Sequence, residues 1–222
     1  MCSSLAGSTF ESVGEPKPLA SLVNFGISYG QYTSSVPKLF LAPANLPSLR
    51  LFHADGIDLF RNFRHRIPSL DATALHHLRL IRMDEELPLL LLATRQLRSL
   101  ECDAETKLSV PDEYRFESAL VAIRIQGYSD ESGELAEELL EEALESGLID
   151  RETVVFFAEF SESQGDANGL RKWCQSHDMR VEWEYGALQH GWQLGWDYDI
   201  HRKFARWVDR LAEERITAAR KK

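Results

Sequence analysis

Apolar residues return along this chain in one short spacing, L-x-x-L-x-L, repeated seven times. The triplets are Leu19/Leu22/Asn24, Leu46/Leu49/Leu51, Leu75/Leu78/Leu80, Leu97/Leu100/Cys102 and Leu120/Ile123/Ile125, followed by two degraded copies, Glu152/Val155/Phe157 and Asp178/Val181/Trp183. Their middle members are separated by 22 to 32 residues. Within each copy a short segment alternates apolar and polar, or nearly so: 49–54, 77–82, 98–103, 121–126, 153–158 and 179–184. A period of two predicts strands with one buried side.

The pattern between these segments changes to a helical one. Residues 84–96 and 131–146 are rich in helix formers, and in the second Leu135, Leu139, Leu140 and Leu144 form one stripe with Gly147 placed to end the helix. A third helix is predicted from Asp166 or Ala167 to His177, with Leu170, Trp173 and Cys174 on one face. From Asp199 onward Ile200, Phe204, Trp207, Val208 and Leu211 again recur at three- and four-residue spacing. Strand then helix, repeated at this period, predicts an α/β fold: an irregular leucine-rich-repeat solenoid, or horseshoe, with a C-terminal capping helix. The implied organisation is a flexible tail over 1–18, a repeat domain over 19–185, and a linker with a C-terminal amphipathic helix over 186–222. That last helix is expected either to close the final strand or to dock onto a partner.

Composition narrows the class. The chain has 222 residues, is 44 % hydrophobic and carries a net charge of −10. Such a balance speaks against a nucleic-acid binder, whose footprint is usually a basic face. Cys2, Cys102 and Cys174 are odd in number and widely spread, so no disulfide framework is expected. The longest apolar run, Leu87 to Ala93, is far too short to span a membrane, and the opening residues lack a signal-peptide layout. The expectation is a soluble protein of the cytoplasm or nucleus, with no membrane partner.

The chemistry-bearing residues each have an ordinary reading beside the interesting one. Cys174-x-x-His177, with His190 and His201 downstream, is a single ligand pair where zinc usually takes two. Packing of Cys174 on an apolar helix face is the expected role. His76 and His77 are neighbours on a strand, so their rings should point to opposite faces. No nucleophile elbow, Cys–His pairing or glycine-rich phosphate loop is present, so no catalytic residue, metal or cofactor is assigned and an enzyme is not expected. The acidic run from Glu131 to Glu145 reads as a solvated helix face that could also dock a basic partner. Arg202, Lys203, Arg206, Arg210, Arg215, Arg220, Lys221 and Lys222 read as solubilising charge.

The inner face of a horseshoe is the natural place for a binding surface. In L-x-x-L-x-L the residue between the last two apolar positions, and the one after them, should project away from the core. These positions are Arg50, Phe52, Arg79, Ile81, Glu101, Asp103, Arg124, Gln126, Phe156, Ala158, Glu182 and Glu184. Exposed Phe52, Ile81 and Phe156 among charges would suit a protein-binding surface, and a register error of one would bury them instead.

The repeats LPSLRLFHADG (46–56), LHHLRLIRM (75–83) and LRSLECD (97–103), the acidic helix ELAEELLEEALESG, and the block LRKWCQSHDMRVEWEY (170–185) together resemble the fungal family of F-box and leucine-rich-repeat proteins. The resemblance covers roughly residues 19–185. It implies substrate recognition for ubiquitylation. The F-box of that family, with its L-P-x-E/D opening, has no counterpart in residues 1–45, so contact with the ligase adaptor is not carried over, and no site residue is transferred. The function expected from the sequence is a non-enzymatic protein-binding module, of the F-box substrate-recognition type but lacking its F-box. The alternative is a regulatory or structural interaction protein, unrelated to ubiquitin, that binds through its acidic or C-terminal helix.

Overall fold

The computed structural model describes residues 23–28, 48–55, 75–81, 96–108, 110–111, 113–127, 131–158, 160, 166–183 and 198–221. Seven short strands occur among them: β1 (Asn24–Ser28), β2 (Leu51–Asp55), β3 (His77–Ile81), β4 (Ser99–Asp103), β5 (Ala122–Gln126), β6 (Val154–Ala158) and β7 (Arg180–Trp183). Three helices accompany them: α1 (Ser132–Glu145), α2 (Asp166–Ser176) and α3 (Tyr198–Ala219). Six of these strands and all three helices fall where the periodicity puts them. The predicted tail over 1–18, the helix over 84–96 except for Gln96, and the link over 186–197 lie outside the described residues.

All seven strands join one sheet, in sequence order from β1 to β7, and every pairing is parallel. Register aligns Phe52, Leu78, Leu100, Ile123, Val155 and Val181 in one row across the sheet. Two residues further on, Leu80, Cys102, Ile125, Phe157 and Trp183 form a second row on the same side. Against these rows pack Ala136, Leu139, Leu140 and Ala143 of α1 and Leu170 and Cys174 of α2, forming the larger core. The helices α1 and α2 connect β5 to β6 and β6 to β7. As successive crossovers of one parallel sheet they fall on the same side. Gly147 ends α1 with φ at +78°, its N–H donating to the Leu144 carbonyl at 3.1 Å, the left-handed cap that glycine adopts without strain.

The expected leucine-rich-repeat horseshoe with a capping helix is corrected by what covers the other side. A horseshoe leaves the inner face of its sheet open. Here α3 lies against that face instead of closing the last strand. Ala122, Val154 and Phe156 pack with Phe204 and Val208, flanked by Val121, Trp207 and Leu211. Phe156 meets Phe204 and Trp207 edge-on, at ring-centroid distances of 5.9 and 6.4 Å. The architecture is therefore an α/β one in three layers, a single all-parallel sheet between helices. The strand order nevertheless runs without the reversal that opens a ligand crevice in doubly wound sheets. The helix α3 follows the last strand, so no crossover rule fixes its side. Its apolar stripe settles on the one sheet face that still has apolar surface to bury.

Candidate functional site

The strands β2 to β5 each begin with the same irregularity in their pairing. The Arg50 carbonyl accepts the N–H groups of both His76 and His77, at 2.9 Å each. The Val23 carbonyl takes Arg50 and Leu51 in the same way, the His76 carbonyl takes Arg98 and Ser99, and the Arg98 carbonyl takes Val121 and Ala122. Two residues opposing one is the pairing of a β-bulge, which redirects side chains from strict alternation. This is why the expectation that His76 and His77 diverge fails. Both imidazoles and the Asp209 carboxylate of α3 bring ligand-type atoms within 4.8 Å of one another.

These groups form a polar clasp between sheet and helix. His77 is buried; its Nδ1 lies 2.9 Å from Ser99 Oγ and its Nε2 3.3 Å from Asp209 Oδ1. Arg98 Nη1 donates to the same Asp209 oxygen at 2.6 Å. Burial alone would raise the Asp209 carboxyl, but the hydrogen bonds and charges of His77 and Arg98 outweigh it and bring it down to about 2. His76, hydrogen bonded through Nε2 to Gln96 Oε1 at 3.2 Å, is held below its ordinary pKa, chiefly by burial and then by the Arg98 charge. Two imidazoles and a carboxylate suit a transition metal in kind. A dication placed there would sit against the Arg98 guanidinium that already neutralises the carboxylate, so the set fits an ion poorly.

Beside the clasp, between α3 and the leading ends of β1 to β3, lies a cleft of about 350 Å³. Arg50, Arg202, Arg206, His77 and Asp209 line it, with Leu51 and Ala205 as apolar wall. Sequence reasoning took Arg202 and Arg206 as solubilising charge, because their meeting with Arg50 depends on where α3 docks.

The inner-face residues expected to bind a partner are placed as follows. Phe52 is not on that face: register sets it level with Leu78 in the core row, 3 % exposed. The second triplet is thus Leu49/Phe52/Ala54, three residues along from the Leu46/Leu49/Leu51 read from leucines alone. Ile81 and Phe156 do face away from that core, yet both are buried. Asp103, Gln126 and Ala158 are buried as well, and Glu184 lies outside the described residues. Arg79, Glu101, Arg124, Phe156 and Glu182 share one row with His53. Two arginines of the row share the Glu101 carboxylate. Arg124 Nη1 lies 2.9 Å and Arg79 Nε 3.6 Å from Glu101 Oε2, and Arg79 is hydrogen bonded to His53. Glu182 pairs with Arg180 at 2.7 Å on the edge strand. Among the described residues of the set only Arg50 is exposed, and it belongs to the cleft. Among the described residues this row is a largely buried ion-pair ladder and not the open protein-binding face expected from sequence.

Cys174 is fully buried in the core, and burial first, then the Glu137 charge, pushes its thiol up to about 12. His177 stacks on Trp173 at 4.0 Å and its Nδ1 lies 2.8 Å from the Trp173 carbonyl. Packing accounts for both. His190 and the His201 side chain lie outside the described residues.

On the outer side, α1 carries Glu131 at its N-cap and then Glu134, Glu138, Glu141 and Glu145, all exposed and spaced three and four apart. Among the described residues none of the five makes a salt bridge. Glu137, beside them, has its carboxyl raised by burial first and then by the charges of Glu134 and Glu141. Compared with known proteins, the chain matches no family model, no curated protein and no solved structure.

Proposed function

We propose that this chain is a non-enzymatic interaction protein that presents the outer face of α1 to a basic partner protein. The observation that carries this reading is the five-glutamate stripe. Like charges three or four residues apart destabilise a helix by about 0.2–0.5 kcal/mol per pair. The stripe holds four successive pairs of this kind, and α1 contains neither Lys nor Arg to offset them. A basic surface laid along the stripe removes that repulsion, so the cost borne in the free chain becomes affinity in the complex. The inner sheet face does not compete for this role, because α3 occupies it. Recognition of substrates for ubiquitylation, which the family resemblance implies, would use this same outer surface.

The test replaces Glu134, Glu138, Glu141 and Glu145 with Gln. The variant should fold, with its thermal midpoint raised by roughly 2–4 °C for each kcal/mol of repulsion removed. In quantitative affinity capture at low salt it should lose basic partners that the natural chain retains. Recovery of the same partner set by both chains would contradict the reading.

A further inference from the structure

The arginine-lined cleft is independent of the α1 stripe and lies on the other side of the sheet. Arg50 comes from the turn into β2, and Arg202 and Arg206 from successive turns of α3. The guanidinia of Arg50 and Arg206 make no hydrogen bond or ion pair among the described residues, and both are exposed. Among the described residues Asp209 is the one carboxylate that lines the cleft, and Arg98 engages it at 2.6 Å, so it does not cancel Arg50 and Arg206. In a chain of net charge −10, the guanidinia of Arg50 and Arg206 at one opening make a local positive potential that a bound anion would relieve.

We propose that this cleft binds a phosphate group, carried by a small phosphate monoester or as the free anion. Guanidinium forks match tetrahedral oxyanions with paired hydrogen bonds, which is where arginine exceeds lysine. The volume of about 350 Å³ falls in the range of small-molecule sites and exceeds what one phosphate fills. Leu51 and Ala205 give an apolar wall, while Asn24 supplies a neutral polar group at the cleft lining. That composition suits a phosphate attached to a small polar body such as a sugar. Arg50 and Arg206 are the grips on the phosphate oxygens, and the clasp of Asp209 on Arg98 and His77 keeps α3 at the spacing the grips need.

Calorimetric titration of the full chain with inorganic phosphate, glucose 6-phosphate and glucose tests this. Saturable binding of a phosphate probe with Kd of about 1 mM or tighter is expected, and none for glucose. Tighter binding of glucose 6-phosphate than of phosphate assigns the monoester; equal binding assigns the free anion. The double variant Arg50→Ala/Arg206→Ala should weaken the probe at least about tenfold, as loss of charge-assisted hydrogen bonds demands. Both side chains are exposed, so its unliganded thermal midpoint should match that of the natural chain. Arg210→Ala, exposed on α3 outside the cleft, should leave affinity unchanged. Absence of saturable binding up to about 10 mM of either phosphate probe overturns the proposal. So does an affinity that survives the double variant, or one that Arg210→Ala weakens equally.

Discussion

The two faces of the sheet are built from alternate residues of the same strands, yet they solve burial differently. The side covered by α1 and α2 is apolar in every described strand from β2 to β6, with Phe52, Leu78, Leu100, Ile123 and Val155 level across the sheet. The side covered by α3 divides. Over β5 and β6 it is apolar, where Ala122, Val154 and Phe156 meet Phe204 and Val208. Over β3 and β4 it carries His77 and Arg98 turned to Asp209, Ser99 hydrogen bonded to His77, and the Arg79–Glu101 part of a ladder that reaches Arg124 on β5. Apolar rows face the side of the crossover helices α1 and α2. A helix arriving once, from the chain end, must match whatever surface it finds, and here it brings an apolar stripe for one half and a carboxylate for the other.

That contrast can be broken most strongly with aromatic truncation. Phe157→Ala on the first face and Phe204→Ala on the second should each cost about 3–5 kcal/mol, because both rings are almost wholly buried. Denaturant unfolding would measure both. A cost below about 1 kcal/mol for Phe204→Ala alone would mean that α3 only rests on the sheet.

The ladder offers a sharper test of its polar part. Removing one partner, Glu101→Ala, should cost about 3–5 kcal/mol by taking away the carboxylate beside buried Arg124, whereas Glu101→Leu with Arg124→Met should come close to neutral. Equal destabilisation by both changes would show that packing at these positions matters more than pairing.

The smallest effect belongs to the clasp. Asp209 is partly exposed, so Asp209→Asn should cost only about 1 kcal/mol at neutral pH. Its signature is the pH dependence. A carboxyl whose folded-state pKa is lowered from 3.8 to about 2 stabilises the fold above the unfolded value. That contribution is lost as pH falls through the folded value, so the window runs from about pH 4 down to about 2. The variant should lack this part of the acid slope; an unchanged slope would remove Asp209 from the account.

Much of the architecture was legible because period and composition agree locally. The strands at 77–81, 99–103 and 122–126 and the helices at 132–145 and 166–176 are local patterns with clear boundaries. What misled was global. Residues 153–158, TVVFFA, were read as near-alternating, but Val154, Val155, Phe156 and Phe157 form a continuous apolar run, the mark of a strand buried on both sides. That run, together with the Phe204/Val208 stripe, was the available signal that a helix covers the inner face. Phe52 was misplaced because a phenylalanine stands where the other repeats carry an aliphatic residue, which slid the triplet by three. The clasp and the cleft left little trace in sequence. They depend on bulges that turn His76 beside His77 and on a helix separated from them by more than a hundred residues.

The central claim is that α3 is an integral layer of the fold, seated on the inner sheet face. Hydrogen exchange of the full chain, resolved by peptide, tests it most directly. The account predicts that amides of Phe204 to Ala212 are protected to the same degree as those of β5 and β6, and exchange with them through one cooperative opening. Exchange of that helix at the rate of an isolated peptide, while β5 and β6 stay protected, would contradict it.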